Sequence, residues 1–496
     1  MFEINKRDGL ARLGKIKTKH GVLDTPTLLP VVNPKILTLS MEELKECGAQ
    51  GLITNSYIIY KNSELKNIAE EKGVHGLLNW DGPIMTDSGT FQSHVYGEID
   101  MQPDEILNFQ KKIGVDIGTV LDVFCEPETR FEDAKKELEE TQRRIEESDK
   151  NKGSIFLAAP IQGGRHLDLR LKAAEMASQT NAEVFPIGGV VPLMEKNNFE
   201  KLAEVIIAAK KGLDISRPVH LFGCGHPMLF ALASFLGCDL FDSSSYAKFA
   251  SRDSLMFTWG TRNLEELEEF PSEFSAALGI TVNQLKKMEK KERQRIIAKH
   301  NLIVSFTEIR RVKQAIHDGL LWELVENRLR TSPALMKVFE ILKRERDWFA
   351  EFEPAYRYKT PIKTGLESDN RPIFSKIANS FKSGDMMHPY FGKVPNHLSE
   401  TYPFHPGLLQ NDIEGWKMQS WDVKRVRTIL DYQFGKGFGK NLTSGETELV
   451  VSRKTKRLRN LLLNGEHIAS LSHRRGMFIL QKKGAELIHK SSKSPK

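Results

Sequence analysis

The sequence predicts an α/β protein in which a (β/α)8 (TIM) barrel is followed by small α+β accessory domains. Over the first three hundred residues, short apolar and β-branched segments alternate with amphipathic helical segments. Strands that alternate with helices form a parallel sheet, and eight such units indicate a closed barrel. An open doubly wound sheet is the alternative, but no Gly-x-Gly-x-x-Gly motif follows an early strand.

The eight predicted strands alternate with helical segments in a regular order. In chain order, the strands cover residues 27–32, 51–56, 83–87, 115–124, 154–161, 183–191, 218–223 and 239–243. The segments between them place apolar residues three and four positions apart, with charges elsewhere, which is typical of helices that pack one face on a sheet. The clearest predicted helices cover residues 39–49, 103–114, 131–151 and 199–213.

The rest of the chain predicts smaller domains. We expect residues 1–345 to form the catalytic barrel, with a helical insertion near 262–300. Residues 346–432 are richer in aromatic residues and proline, which favours a separate α+β domain. Residues 433–496 alternate apolar and polar positions around an Asn-Gly pair, a pattern typical of a small antiparallel β module.

Composition excludes several classes of protein. Charged residues make up 28% of the 496 residues and hydrophobic residues 40%, as in a globular domain. No apolar run approaches the ~18 residues of a membrane span, and no signal peptide opens the chain. Four scattered cysteines do not form a disulfide framework or a Cys-x-x-Cys metal knuckle. We therefore expect a cytoplasmic protein.

The net charge of +7 is unevenly distributed. From Lys436 onward there are 14 Lys and Arg against 4 Asp and Glu, so the rest of the chain has a net charge of −3. A basic module beside a weakly acidic body indicates a polyanion-binding, RNA-binding segment. A solvated basic tail is the alternative.

Polar residues follow several of the predicted strands. Asp87, Asp122, Gln162 and Asp242 stand at or near the ends of four strands, and Gly188 and Gly189 lie in the end of another. Because the carboxyl ends of barrel strands share one rim, these residues are candidates for an active site. One such aspartate can simply cap a helix. Three together favour sugar chemistry, metal binding, or cleavage of a C–N or C–O bond; metal binding is less favoured, because no second ligand stands beside them in sequence.

The motifs around these residues resemble those of a known enzyme family. The segments TDSGTFQ, IQGG, PIGGVVPL, HLFGCGHP and DLFDSSSYAKFA are similar to those of the tRNA-guanine transglycosylases. VVPL and SFTEIRRVKQAI resemble the archaeal, archaeosine-forming branch. The resemblance is strong over residues 1 to about 330 and weaker beyond. It implies exchange of a guanine in the tRNA D-loop, at position fifteen in the family, for 7-cyano-7-deazaguanine (preQ0), a step of archaeosine biosynthesis.

The resemblance also implies roles for the carboxylates. Asp242 would be the nucleophile that forms a covalent glycosyl-enzyme with the ribose. Asp87 would be the general acid and base that serves the departing and the incoming base. Asp122 would accept hydrogen bonds from the ring N–H and the exocyclic amine of a guanine-type edge.

Further residues are expected to bind the base. Gln162 and the main chain around Gly189 would meet its carbonyl edge and its 7-substituent, and Phe91 and Phe222 would sandwich the ring. The full set of expected binding residues is Asp122, Gln162, Gly188, Gly189, Val190, Val191, Phe91, Phe222 and Ser88.

The sequence departs from the family in its metal site. Family members bind a structural zinc through three cysteines and a histidine. His300 aligns with the histidine, but Ser272, Phe274 and Ala277 replace the cysteines. Because a structural zinc needs four ligands, we expect no zinc and no other cofactor.

The expected partners are tRNA and 7-cyano-7-deazaguanine, with no membrane. Full-length archaeal members carry a PUA domain after the basic module; none is expected here, and a separate PUA protein and a homodimer are possible partners. Two alternative functions stay open at this point: a non-catalytic tRNA-binding paralogue or partner subunit, and a barrel glycoside hydrolase. Retention of both Asp87 and Asp242 argues against the first, and the basic module argues against the second.

Overall fold

A computed structural model describes residues 2–90, 101–270, 279–353 and 366–381 and five strands between residues 447 and 490. The chain divides into two compact units, Met1–Ile341 and Leu342–Lys496. Within these residues, no helix is long and apolar enough to cross a membrane.

The first unit opens with a three-stranded antiparallel sheet that the sequence analysis did not anticipate. Its strands, in the spatial order of the sheet, are β1 (Phe2–Asp8), β2 (Ala11–Thr18) and β3 (Gly21–Thr25). Ile16 of β2 and Leu23 of β3 are buried in one cluster with interior residues of the barrel strands, among them Leu29 and Met85. The sheet therefore closes one end of the barrel by burial of apolar side chains.

Eight parallel strands form the barrel, which confirms the predicted fold class. They are β4 (Thr27–Pro30), β5 (Leu52–Asn55), β6 (Ile84–Asp87), β7 (Ile117–Thr119), β8 (Phe156–Ala158), β9 (Phe185–Ile187), β10 (Val219–Leu221) and β11 (Leu240–Ser243). The strands pair in two groups, β5 to β8 in one and β9, β10, β11 and β4 in the other. Isolated bridges join the groups: Val31 pairs with Ile53 at one junction, and Ala158 with Val184 and Ile161 with Ile187 at the other.

All eight observed barrel strands are shorter than the predicted ones. The prediction for β7 covered residues 115–124, whereas the strand is Ile117–Thr119. Val120 and Leu121 are nevertheless buried, because the chain beyond the strand still packs inside the rim. An apolar run therefore marks burial, and the ladder of hydrogen bonds ends earlier.

The helices of the first unit surround the barrel. They are α1 (Met41–Cys47), α2 (Ser56–Lys61), α3 (Ser63–Leu78), α4 (Pro103–Lys112), α5 (Phe131–Asn151), α6 (Leu167–Ser178), α7 (Val191–Glu195), α8 (Phe199–Gly212), α9 (Pro227–Phe235), α10 (Ser245–Ala250), α11 (Val282–Lys287), α12 (Lys290–Asp318), α13 (Leu321–Leu329) and α14 (Pro333–Met336). Helix α3 is broken at Gly73, whose φ of 73° is not helical.

The region of the predicted insertion contains both strands and helices. An antiparallel pair, β12 (Ser254–Phe257) and β13 (Gly260–Asn263), leads through a 3-10 turn (Leu264–Glu266) to α11 and α12. Helix α12 packs against α1, α9 and α10, so it completes the outer layer of the barrel.

The second unit begins within α15 (Val338–Arg344) and continues with α16 (Arg346–Glu351), a 3-10 turn (Leu366–Asn370) and α17 (Pro372–Phe381). Its strands are β14 (Thr447–Ser452), β15 (Asn460–Leu463), β16 (His467–Ser470), β17 (Met477–Lys483) and β18 (Glu486–Lys490). All observed pairings among them are antiparallel, and β15 pairs with β16 across the Asn464-Gly465 segment. The predicted domain boundaries at 346 and 433 stay predictions.

Candidate active site

Four of the sequence-predicted residues lie at one rim of the barrel. Asp87 is the last residue of β6 and Asp242 lies near the end of β11, while Asp122 and Gln162 follow β7 and β8. Parallel strands place these ends together. Asp122, Gln162 and Asp242 are buried, and Asp87 is half-buried.

Asp242 is held by two donors on one oxygen. Its Oδ1 accepts hydrogen bonds from His220 Nε2, at 2.8 Å, and from the main-chain N–H of Gly223, at 2.8 Å. Within the residues that the structure describes, its Oδ2 meets no protein donor. The carboxylate is therefore fixed in orientation by one oxygen while the other remains available.

His220 supports Asp242 in one tautomer. The ring is fully buried, and its Nδ1 has no hydrogen-bond partner. Because a protonated Nδ1 would be a buried donor without an acceptor, the hydrogen-bond pattern assigns the proton to Nε2, which donates to the carboxylate. His220 is thus a positioning residue for Asp242.

Asp87 accepts one hydrogen bond on each of its carboxylate oxygens. Asn55 Nδ2 donates to its Oδ2 at 3.1 Å, and the N–H of Gly89 donates to its Oδ1 at 3.2 Å. Burial, together with repulsion from Asp122 and Asp242, raises the pKa of Asp87 to about 6 against the effect of these hydrogen bonds. The group can therefore carry a proton near neutral pH.

Asp122 is paired with Gln162. Gln162 Nε2 donates to Asp122 Oδ2 at 2.5 Å. Burial raises the pKa of Asp122, although hydrogen bonds from Thr90 and Gln162 oppose the change. The amide oxygen of Gln162 is buried without a donor, which is the kind of group that a ligand can satisfy.

The helix-capping alternative does not describe Asp122 or Asp242. The helices that follow their strands are α5 and α10, and neither has a side-chain cap. Both carboxylates instead accept hydrogen bonds from residues of neighbouring barrel segments, namely Gln162, His220 and Gly223.

Gly188 and Gly189 allow the chain to lie against Gln162. A Cβ at Gly188 would stand 2.5 Å from Gln162 Nε2, and a Cβ at Gly189 would stand 2.5 Å from the carbonyl oxygen of Cys125. Gly189 also has a φ of 66°, which favours glycine. Within the described chain, the N–H groups of Gly189 and Val190 meet no protein acceptor, so they can donate to a ligand.

A buried arginine beneath the rim holds these loops. The guanidinium of Arg170, in α6, donates to the carbonyl oxygens of Gly164, Ile161 and Gly188 at 2.9, 2.6 and 2.8 Å. Burial lowers the pKa of Arg170 to about 10, so it stays charged at neutral pH. One side chain thereby joins the loops that follow β8 and β9.

The structure places the remaining predicted residues as follows. Val190 is buried and Val191 half-buried at the start of α7, and the half-buried ring of Phe222 stands edge-on to His220 at 4.6 Å between centroids. The buried hydroxyl of Ser88 lies 3.2 Å from Thr90 Oγ1. Phe91 lies outside the described residues.

Sequence reasoning missed Asn55, His220 and Arg170. Asn55 and His220 did carry a signal, because each is a polar residue inside or at the end of an apolar barrel strand. Arg170 carried none, since a charge on an amphipathic helix normally faces solvent.

Among the residues that the structure describes, no group of three potential metal ligands includes His300. His300 is buried in α12, and its ring packs edge-on to Phe257, with centroids 5.3 Å apart, and near Phe270. Its Nδ1 lies 3.1 Å from Asn301 Oδ1, and burial lowers its pKa to about 4. Ser272, Phe274 and Ala277 lie outside the described residues, and none has the thiolate that a structural zinc of this kind requires. These residues do not fit the metal.

The fold and the rim define the class of this protein: a (β/α)8 barrel whose mouth gathers carboxylates in contrasting hydrogen-bond environments, as in enzymes that transfer glycosyl groups. Comparison with known proteins agrees. The family model described as queuine tRNA-ribosyltransferase matches residues 7–334. A second model, the patch-forming domain C2 of tRNA-guanine transglycosylase, matches residues 424–495.

Relatives match nearly the whole chain. The tRNA-guanine(15) transglycosylase of Thermococcus onnurineus is 42% identical over 495 residues, covering 98% of this chain and 85% of that protein. The protein of the same name from Pyrococcus abyssi is 41% identical, covering 100% of this chain and 85% of its own. That of Methanocaldococcus jannaschii is 36% identical, at 100% and 88% coverage. The chain belongs to the tRNA-guanine transglycosylase family, and it is a glycosyl-transferring enzyme.

Proposed function

We propose that this enzyme exchanges a guanine in the D-loop of tRNA, at position fifteen, for 7-cyano-7-deazaguanine through a covalent intermediate on Asp242. The family and the name of the relatives, tRNA-guanine(15) transglycosylase, support a guanine of tRNA as the target. The single observation that carries the mechanism is the contrast between Asp242, anchored through one oxygen, and Asp87, whose pKa burial raises to about 6.

The first half-reaction forms the intermediate. Asp242 Oδ2 attacks C1′ of the target ribose, and the bond from C1′ to the guanine N9 breaks. The proton of Asp87 passes to the departing guanine, which leaves as a neutral base. His220 Nε2 and the Gly223 N–H hold Asp242 Oδ1 throughout, so the ribosyl group is bonded to a fixed carboxyl.

The second half-reaction reverses the proton transfer. Asp87, now a carboxylate, accepts the N9 proton of the incoming base, whose N9 attacks C1′ as the ester bond to Asp242 breaks. Asp242 is restored as a carboxylate and Asp87 is again protonated. Two inversions at C1′ retain the β-glycosidic bond, as paired carboxylates do in retaining glycosidases.

The neighbouring groups match the edges of a guanine-type base. The Asp122 carboxylate can accept from the ring N–H and the exocyclic amine. The second amide hydrogen of Gln162 and the N–H groups of Gly189 and Val190 can donate to the carbonyl oxygen and the 7-substituent. Adenine presents the opposite donor and acceptor pattern on this edge, so the arrangement favours guanine-type bases.

The target nucleoside must leave the tRNA stack, which costs roughly a few kcal/mol. The basic segment after Lys436 is the candidate source of compensating phosphate contacts. We expect no zinc beside His300. A homodimer and a separate PUA protein remain predictions from the sequence.

The test is incorporation of labelled 7-cyano-7-deazaguanine into unmodified tRNA by the full chain, together with trapping of the enzyme–tRNA adduct on a denaturing gel in the absence of an incoming base. Wild type should incorporate the base and form the adduct. Asp242→Ala should do neither and should still bind tRNA. A tRNA with adenosine at position fifteen should not be labelled.

Each part of the proposal would be contradicted by a different experimental result. An adduct that survives Asp242→Ala refutes the assignment of the nucleophile. Labelling of the adenosine-15 tRNA refutes the position, and failure to incorporate labelled 7-cyano-7-deazaguanine under conditions in which labelled guanine is exchanged refutes the incoming base. Binding of tRNA by wild type without any exchange would indicate the non-catalytic alternative.

A further inference from the structure

A second cluster of titratable side chains lies at the other end of the barrel from the carboxylates. His20 is in the turn between β2 and β3, His75 is in the last turn of α3, and Asp116 directly precedes β7. Asp116 precedes the strand that Asp122 follows, so this cluster belongs to the amino-terminal rim. The proposed exchange reaction uses none of these three residues.

The three side chains converge on one point. His20 Nδ1 lies 3.0 Å from Asp116 Oδ1, and His75 Nε2 lies 3.2 Å from Asp116 Oδ2. The imidazole rings are tilted by 35° to each other with their centroids 3.7 Å apart, and one potential ligand atom from each of the three residues lies within 4.8 Å of the other two. Ligand atoms of a tetrahedral zinc, each about 2.0–2.1 Å from the metal, are roughly 3.3 Å apart.

The cluster is anchored and remains accessible. The N–H of His20 donates to Asp116 Oδ1 at 3.1 Å, and the N–H of Ile84 donates to Oδ2 at 2.9 Å. Such outer bonds orient a ligating carboxylate. The exposed side-chain fraction is 0% for Asp116, 17% for His75 and 30% for His20, so an ion can enter from the histidine side.

Local structure brings the histidines to Asp116. The break of α3 at Gly73 lets the N–H of Val74 bond to the carbonyl oxygen of Ile113 at 2.8 Å, which ties the end of α3 to the segment that leads to Asp116. On the other side, the β2–β3 turn carries His20, whose main chain is itself bonded to the carboxylate.

We propose that His20, His75 and Asp116 form a binding site for one divalent transition metal of the zinc class. Two imidazoles and a carboxylate are a donor set that zinc accepts, with water or the second carboxylate oxygen as fourth ligand. The metal joins the sheet that closes the barrel, helix α3 and the start of β7. Because the unfolded chain lacks the assembled site, the metal stabilises the folded barrel by mass action.

The experiment distinguishes a metal site from a cluster in which the two histidines are held to Asp116 by hydrogen bonds alone. The full chain is stripped with chelator and titrated with Zn²⁺ and with Co²⁺ alone, with metal content, visible absorption and Tm as readouts. His20→Asn and His75→Gln each keep an amide N–H where the imidazole nitrogen now stands, so they preserve the hydrogen bond to Asp116 and remove the ligand. His317→Asn is the matched control, because His317 Nδ1 lies 3.2 Å from the Asp318 carboxylate but its side chain is 61% exposed.

Wild type and His317→Asn should bind one equivalent of metal, with the absorption of tetrahedral Co²⁺ in nitrogen and oxygen coordination and a higher Tm with Zn²⁺. His20→Asn and His75→Gln should bind about 100-fold more weakly or not at all. The proposal is overturned if wild type binds no metal, if the two variants bind as wild type does, or if Co²⁺ shows thiolate coordination. Should either variant fail to fold, the wild-type stoichiometry and spectrum still decide.

Discussion

Burial of the Asp87 carboxylate destabilises the folded protein, but the proposed proton transfer requires the raised pKa that burial causes. A carboxylic acid whose folded pKa is about 6, against ~3.9 when unfolded, ionises less readily in the native protein. At this one group the native protein therefore binds more protons than the unfolded chain between about pH 4 and pH 6, so the contribution of Asp87 to stability falls as pH rises through that window and then levels off.

Asp87→Asn should therefore abolish exchange and make the protein more stable above pH 6. The side chain is half-buried, so the gain in the free energy of unfolding should be about 1–3 kcal/mol at pH 8 and should vanish near pH 4. Denaturant titrations of both proteins across this range measure it. Asp81→Asn is the control, because Asp81 is exposed and Lys45 lowers its pKa. A gain that does not vary with pH would contradict the raised pKa of Asp87.

Gly189→Ala should impair catalysis because the new methyl group would collide with neighbouring atoms and because the backbone would be strained. The new Cβ would stand 2.5 Å from the carbonyl oxygen of Cys125 and 3.0 Å from Gln162 Oε1, so the loop that faces the base must move. We expect kcat/KM for base exchange to fall at least about tenfold, which is about 1.4 kcal/mol of transition-state stabilisation.

Gly114→Ala is the matched control for Gly189→Ala. Gly114 has a φ of 72°, close to the 66° of Gly189, but a Cβ there meets no atom within 4 Å. It should lose about 1–2 kcal/mol of stability through the strained backbone and keep its kcat/KM. Equal losses of kcat/KM in both variants would show that strain alone matters.

At this scale, the sequence could predict the residues at strand ends and not their partners. Asp87, Asp122, Gln162 and Asp242 follow strands that the hydrophobic pattern marks. Asn55 and His220 become partners only through the lateral pairing of neighbouring barrel strands, which a pattern along one strand does not contain.

Among the elements, α6 acts as a clamp on the rim through Arg170. Three carbonyl oxygens from the loops after β8 and β9 share its guanidinium. An unsatisfied buried acceptor costs about 1–3 kcal/mol, so Arg170→Met should lose roughly 3–5 kcal/mol of stability. Its KM for the incoming base should rise as well, because Gly188 is one of the expected base-binding residues.

Arg217→Met is the control element for this clamp. Arg217 donates to the carbonyl oxygens of Ser178, Thr180 and Ala182, which precede β9 and lie away from the mouth. This variant should lose stability and keep its KM, as measured by denaturant titration and steady-state exchange. A normal KM in Arg170→Met would show that the clamp serves stability alone.

Elements were predictable where their pattern is periodic. The eight barrel strands and the long helices α5 and α8 fall where alternation and three- and four-residue spacing place them. The opening sheet β1–β3 was not predicted. Its apolar residues Ile16 and Leu23 are buried only through contact with the end of the folded barrel, and the local sequence pattern does not contain that contact. The predicted strands extended too far at their ends, because the chain stays buried beyond the last hydrogen bond of the strand.

Along the chain, positive charge is concentrated in the segment from Lys436 onward, which contains none of the candidate site residues. The chain up to residue 435 has a net charge of −3, and the segment from Lys436 carries a surplus of ten positive charges. A weakly acidic barrel gains little from the tRNA phosphates, so binding should depend on the basic segment and should be weakened by salt. The uneven distribution of charge along the chain could be predicted from the sequence, because net charge can be counted without knowledge of any contact.

Replacing four basic residues of that segment by glutamine should therefore change the salt dependence of tRNA binding. The residues are Arg453, Lys454, Lys456 and Arg457. Each phosphate contact contributes about 0.7–0.9 to the slope of log Kd against log salt concentration, so the slope should fall by up to roughly 3. The exchange rate at saturating tRNA should stay near that of wild type, because the carboxylates are unchanged.

The matched control replaces four lysines exposed on barrel helices, namely Lys72, Lys136, Lys150 and Lys211. Equal changes of slope in the two variants would mean that net charge alone governs binding, whereas a change confined to the first would make the basic segment the site of phosphate contact.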